Sequence, residues 1–140
     1  AFGEDTATDS TGYALRAYWM PEETGTAVPE ISVGYDTKNF EDGSTGDADD
    51  ADSYMIGLTW KDMFQADDRI GLAITQPLAV NSVVGGGTVD EVDPLLWELY
   101  YSFKPNDSMS VTPAIFGGSD SWADDDDDTF GAVVTTTFKF

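Results

Sequence analysis

The segment PLLWELYYSFK (94–104) decides the fold class, because apolar and mixed positions alternate along it with a period of two. One set of alternate positions is Leu95, Trp97, Leu99, Tyr101 and Phe103, and the other is Leu96, Glu98, Tyr100, Ser102 and Lys104. Successive side chains of a β-strand point to opposite faces, so this pattern predicts a strand with one strongly apolar face.

The same alternation recurs along the chain and predicts six further strands, while no comparable helical stripe is present. Their approximate ranges are 12–20, 29–39, 53–62, 68–78, 108–117 and 129–140. We therefore expect an all-β protein with seven strands.

The connections between these strands alternate between a compact kind and a longer, more acidic kind. The compact connections are 21–28, 62–67 and 104–108, and the acidic ones are 41–52, 79–93 and 118–128. The acidic connections and the opening segment together hold 18 of the 27 acids. This alternation predicts an antiparallel up-and-down barrel with short turns at one end and long external loops at the other.

Composition excludes several classes of function. The chain has 140 residues, a formal net charge of −21, and neither Cys nor His. Such a charge disfavours nucleic acid as a partner, and the missing residues exclude thiolate chemistry and the commonest general base. No cofactor is expected. The opening AFGEDTATDS does not resemble a signal peptide, and no stretch has the roughly 18 apolar residues of a spanning helix.

Aromatic residues lie near the predicted strand ends, as in the girdles of outer-membrane barrels. The last strand ends in FKF (138–140), and Phe138 with Phe140 is the predicted signal for barrel assembly, since such barrels characteristically end in an aromatic residue. The same aromatics are also compatible with the two ends of a soluble, acidic β-sandwich that is secreted and binds Ca²⁺ or a surface polymer.

Seven strands leave two unpaired edges, and single-chain bacterial barrels have an even strand number. The chain is therefore expected to be the C-terminal part of a larger barrel, over 1–140, with the remaining N-terminal strands as its partner. A small eight-stranded barrel with one unrecognised strand is the competing interpretation. A cleaved piece with a structural role, held to the rest by strand pairing, is a further one.

Three segments resemble the C-terminal barrel of cyanobacterial outer-membrane porins. They are TWKDMFQADDRIGLAITQP (59–77), DPLLWELYYSFKPNDSMSVTPAIFGG (93–118) and FGAVVTTTFKF (130–140). This family comprises iron-uptake porins with a surface-layer-homology domain, related to the OprB-type carbohydrate porins. The resemblance implies a barrel of about 16 strands in the bacterial outer membrane. It also implies passive transport of inorganic ions, with iron suggested.

The polar side of the predicted strands supplies candidate pore-lining residues, namely Arg16, Thr59, Glu98, Ser102, Thr135 and Thr137. Arg16 and Glu98 are expected either to form part of a ladder of opposed charges in the lumen or to make a structural ion pair. Outer-membrane lipid and further copies of the chain, in a homotrimer, are the other expected partners.

The acidic loops are expected to form a cation-attracting external mouth. Its predicted residues are Asp47, Asp49, Asp50, Asp52 and Asp124, Asp125, Asp126, Asp127, Asp128. The 47–52 segment lacks the mid-loop Gly and terminal Glu of an EF-hand, so no specific metal site is predicted. Glu98 is the only acid deep inside a strand, and no rigid pair of carboxylates can be assigned. The chain is therefore not expected to be an enzyme.

Overall fold

The computed structural model describes residues 9–41, 44–86, 94–119 and 128–140, and within them it contains seven strands. They are β1 (Ser10–Trp19), β2 (Glu30–Phe40), β3 (Ala48–Lys61), β4 (Arg69–Val83), β5 (Leu95–Asn106), β6 (Met109–Ser119) and β7 (Thr129–Phe138). They form one sheet in sequence order, and each strand is antiparallel to the next. The prediction of an all-β, up-and-down arrangement is confirmed, and β1 and β7 are the two edges of an unclosed sheet.

Two strand boundaries differ from the sequence-based prediction. The structure begins β3 at Ala48 rather than near 53, and it ends β4 at Val83 rather than near 78. The alternation of apolar residues stops in this region, but backbone pairing continues through several register shifts. Asp49, Asp50 and Asp52 therefore lie in a strand, and their prediction as loop residues is wrong.

The connections separate into two edges of the sheet. The short connections 20–29, 62–68 and 107–108 define the short-turn edge. The opposite strand ends, namely the starts of β1, β3, β5 and β7 and the ends of β2, β4 and β6, define the acidic edge. An up-and-down sheet has to place alternate connections at opposite ends, so the predicted separation of short turns from acidic segments is confirmed. None of the described residues forms a helix long and apolar enough to cross a membrane.

The turn 62–68 is held by one buried carboxylate. Asp68 is fully buried and accepts hydrogen bonds from the backbone N–H groups of Met63 (2.8 Å), Phe64 (3.0 Å) and Gln65 (3.0 Å). The hydroxyl of Tyr101 donates a fourth, at 3.0 Å. Burial acts to raise the pKa of Asp68, but these hydrogen bonds outweigh it and the pKa lies below its ordinary value.

The strand register sorts the side chains onto two faces, because directly opposed residues of antiparallel strands share a side. One continuous row of opposed residues is entirely apolar and crosses all seven strands. It consists of Trp19, Ile31, Leu58, Leu72, Leu99, Ile115 and Ala132. We call the face that carries this row the apolar face, and the opposite one the polar face.

The apolar face is uncovered. Leu15 is 69% exposed and Val134 is 65% exposed, and the buried apolar side chains in the described ranges are small, namely Ala51, Ala79, Pro94 and Ala114. The described strands therefore have no second layer and no core of large side chains.

Candidate functional site: the polar face

All six predicted pore-lining residues lie on the polar face. Arg16 is opposite Gly34, Thr59 is opposite Glu30 and Gly71, and Glu98 is opposite Ala73 and Phe116. Ser102, Thr135 and Thr137 lie on the same face nearer the short-turn edge. Their role in lining a pore stays a prediction, but the register places them together.

Arg16 makes an ion pair with Asp36 on the neighbouring strand, not with Glu98. Its Nη2 atom lies 2.8 Å and 2.7 Å from the two carboxylate oxygens of Asp36, and its Nη1 donates to the backbone oxygens of Leu15 and Tyr35. A Cβ on Gly34 would lie 3.1 Å from Cδ of Arg16, so the glycine lets the arginine cross β2. The pairing neutralises the guanidinium. The predicted place of Arg16 in a lumen ladder stays a prediction.

A second ion pair lies on the polar face near the short-turn edge. Glu30 is 8% exposed and pairs with Lys61. A carboxylate this deeply buried needs such a partner, because an unpaired buried charge is costly. The pair ties β2 and β3 together.

Two aromatic rings of the polar face lie low over glycines of adjacent strands. A Cβ on Gly71 would lie 2.1 Å from Cε1 of Tyr100, and a Cβ on Gly131 would lie 2.4 Å from Cζ of Phe116. Only glycine leaves room for these rings, since real Cβ atoms do not approach other atoms so closely. Sequence reasoning missed both rings, because the signal, a glycine directly opposite an aromatic residue, requires the register to be known.

Glu98 is the fourth residue of β5, nearer the acidic edge, and it is exposed. Its directly opposed neighbours, Ala73 and Phe116, carry no charge. Within the part of the chain that the structure describes, the three ion pairs are Arg16–Asp36, Lys61–Glu30 and Lys104–Asp67, so Glu98 takes part in none.

Hydroxyl groups occupy the polar face between Glu98 and the short-turn edge. Thr112 donates to Ser102 at 2.9 Å, Thr135 is opposite Thr112, and Thr137 is opposite Ser110. This patch gives water and ions hydrogen-bonding partners along β5, β6 and β7.

The acidic edge is organised by hydrogen bonds between β3 and β4. Asn81 Nδ2 donates to Asp52 at 2.6 Å and to Asp50 at 3.2 Å, and Ser82 donates to Asp49 at 3.3 Å. Asp47 accepts from the backbone N–H of Ser44 at 2.8 Å. Across the described ranges no group of three or more acidic side chains is arranged to hold a metal ion.

The Asp run before β7 is only partly described. Asp128 is exposed and directly precedes β7. Asp124, Asp125, Asp126 and Asp127 lie outside the described residues. Phe138 ends β7 and Phe140 is fully exposed, and the predicted role of this pair in assembly stays a prediction.

No family model, no curated protein and no solved structure matches this chain. A functional assignment therefore rests on the geometry of the sheet.

Proposed function

We propose that the seven strands are part of an outer-membrane β-barrel, a porin whose polar face lines a passive channel for inorganic ions and small hydrophilic solutes. One observation carries the proposal, namely a single sheet whose exposed apolar face is bounded at both ends by aromatic side chains. At the acidic edge the aromatics of this face are Tyr13, Tyr35, Tyr54, Trp97 and Phe130. At the short-turn edge they are Trp19, Trp60, Tyr101, Phe103 and Phe138.

These two belts slant across the sheet in the same direction. The row of directly opposed residues that starts at Trp19 on β1 ends at Ala132 on β7. The aromatic residue of this belt on β7 is Phe138, six residues further towards the short-turn edge. The row of opposed residues that ends at Phe130 on β7 begins at Ala17 on β1. The aromatic residue of this belt on β1 is Tyr13, four residues nearer the acidic edge. With about 3.3 Å per residue and about 4.8 Å between strands, belts lying in a membrane plane require a strand tilt of about 25–35°.

That tilt reaches the lower end of the roughly 35–45° of transmembrane barrels. The strand lengths of 10 to 15 residues also suffice for the roughly 9–11 residues that a tilted strand needs to cross a bilayer. A membrane interface is planar, so it explains why both aromatic belts cross the strands at the same angle. A covering layer of protein gives no reason for such an arrangement.

The unpaired edges support a larger assembly. Lipid does not tolerate the free backbone groups of an edge strand, so β1 and β7 require further strands. In the proposal these come from a barrel of about 16 strands, with outer-membrane lipid around the apolar face and a homotrimer as the assembly.

A secreted β-sandwich gains no support from the sheet. Its apolar face would have to be covered by a second layer. In the described ranges all seven strands belong to one sheet, and Leu15 and Val134 remain mostly exposed.

A preference for cations follows from the charges. The acidic edge carries Asp47, Asp49, Asp50, Asp52 and Asp128. Glu98 carries a charge without an ion-pair partner on the polar face, on the acidic side of β5. Negative charge at the mouth and wall of a channel raises the local concentration of cations. Iron, as the resemblance to cyanobacterial porins suggests, is within this class.

The test is a planar-bilayer recording of the complete barrel that contains these seven strands, reconstituted from detergent. K⁺ should permeate better than Cl⁻ at 0.01 M salt, where the Debye length is about 30 Å, and the preference should shrink at 1 M, where it is about 3 Å. Replacing Asp124 to Asp128 with Asn should reduce the low-salt preference. Glu98→Gln should reduce it at every salt concentration, because a wall charge acts at short range.

The matched control is Asp107→Asn, which removes an exposed acid at the short-turn edge. It should change selectivity less than Glu98→Gln does. A protein that stays soluble without detergent and forms no channel would contradict the porin proposal, and an anion-selective channel would contradict the cation preference.

A further inference from the structure

The surroundings of Glu98 combine one carboxylate with two aromatic rings. Phe116 lies directly opposite Glu98 on β6, and Tyr100 lies two residues along β5 on the same face. Cβ atoms of directly opposed residues are roughly 4.5–5.5 Å apart, and alternate residues of one strand are about 7 Å apart. Both rings are therefore within reach of a small molecule bound at the carboxylate.

Both rings lie close to the surface of the sheet. The tip of Tyr100 covers Gly71 on β4, and the tip of Phe116 covers Gly131 on β7, so the rings extend away from Glu98 on opposite sides. Phe116 remains 37% exposed. The opposed residues Ala73 and Ala114 are small, so the carboxylate and the rings border a shallow, open surface.

No described cation forms an ion pair with this carboxylate. Arg69 lies on the same face, opposite Ser102 and four residues along β4 from Ala73, and it forms no ion pair with a described residue either. Arg16 is bound to Asp36, Lys61 to Glu30, and Lys104 to Asp67. A carboxylate with uncharged neighbours and no internal counter-ion attracts a mobile cation. The aromatic neighbours determine which kind of cation binds with the most favourable free energy.

A small alkali ion keeps its water shell and gains little from a ring. An organic ammonium ion is weakly hydrated, so it can pair with the carboxylate while its methyl or methylene groups contact the ring on one side or the other of Glu98. We propose that Glu98, Tyr100 and Phe116 form a binding site for organic ammonium cations. The site rests on the proposed function, because only a channel brings solutes past this face.

The experiment measures block of the K⁺ current of the reconstituted complete barrel by tetramethylammonium. Wild-type current should fall with tetramethylammonium concentration along a saturating curve. Glu98→Gln should raise the half-blocking concentration on the order of ten-fold through loss of the charge. Tyr100→Leu and Phe116→Leu should each raise it about two- to five-fold, the value of a cation–π contact at an exposed site.

Two controls separate this site from general effects. Phe40→Leu removes a ring from the polar face near the acidic edge and should leave the half-blocking concentration unchanged. The neutral molecule tert-butanol, similar in size to tetramethylammonium, should block much less. Folding of each variant is checked by its heat-dependent migration on gels, so that a misfolded variant is recognised.

The outcomes distinguish the two proposals. If no channel forms, the proposed function fails. If a channel forms but Glu98→Gln and the two ring variants are blocked like the wild type, the ammonium site is wrong and the porin proposal stands. Equal block by tert-butanol would also overturn the site, because it would show an apolar contact without charge recognition.

Discussion

Leu72 and Ala73 are neighbours on β4, yet their side chains belong to opposite faces of the sheet, and the two faces differ in the kind of contacts they make. Leu72 lies in the apolar row, whose side chains are all apolar. Ala73 lies on the polar face, where side chains reach across strands in defined pairs, such as Arg16 with Asp36 and Tyr100 over Gly71. The apolar face is suited to a fluid partner such as lipid, which needs hydrocarbon but no geometry, whereas the polar face is built from particular contacts.

The largest expected effect comes from placing one charge on each face. Leu72→Arg should lower the free energy of unfolding by about 2–4 kcal/mol, as a charge on a lipid-facing position does. Ala73→Arg should change it by less than about 1 kcal/mol, because a water-filled lumen accepts the charge. The measurement is urea unfolding of the protein folded into lipid vesicles. A greater loss for Ala73→Arg would assign the faces the other way round.

A smaller effect is expected from crowding the polar face. Gly71→Ala puts a Cβ 2.1 Å from Cε1 of Tyr100, so the ring has to move, at a cost of about 1–3 kcal/mol. In the Tyr100→Ala background the same change should cost little. Gly12→Ala is the control, because its Cβ would meet nothing closer than 3.5 Å. Equal losses at Gly71 and Gly12 would show that backbone entropy, not the ring, is responsible.

The short-turn edge offers a pH test with a defined sign. The pKa of Asp68 is lowered in the folded protein, so its contribution to stability is complete above the unfolded value of about 3.9 and is lost as the pH falls through the folded value. Asp68→Asn should therefore be less stable than the wild type at pH 7. The difference should disappear in acid, as measured by unfolding midpoints across this range.

Asp107→Asn, at an exposed position of the same edge, is the control for Asp68→Asn. It should follow the wild-type pH profile. A difference between Asp68→Asn and the wild type that persists unchanged in acid would mean that the shape of the side chain matters and its charge does not.

The smallest effect is expected in the selectivity of the channel. Asp36→Asn leaves the guanidinium of Arg16 without its counter-charge, so the preference for K⁺ over Cl⁻ should fall slightly. The double variant Arg16→Gln with Asp36→Asn should restore the preference for K⁺, because it removes one positive and one negative charge and leaves the net charge unchanged. Reversal potentials at low salt measure both. Identical values for the single and double variants would show that Arg16 does not face the permeating ions.

Alternation of residue types was sufficient to predict the all-β class, the strand order and the two edges, because side-chain direction has a period of two in any strand. It failed where alternation stops. Asp49, Asp50 and Asp52 have loop composition, and they join β3 because Asn81 and Ser82 of β4 provide hydrogen-bond donors opposite them. Those donors are about thirty residues away in the chain and could not be assigned from the acidic run itself.

The sequence by itself determined which side of each strand is apolar, since that depends only on local order along the chain. It also determined that acidic segments and short turns lie at opposite edges. Only the tertiary structure decided the partners on the polar face, including the pairing of Arg16 with Asp36 and the position of Tyr100 over Gly71. The reason is that these contacts, like the slant of the aromatic belts, depend on the register between strands, and the register is set by all the strand pairs together.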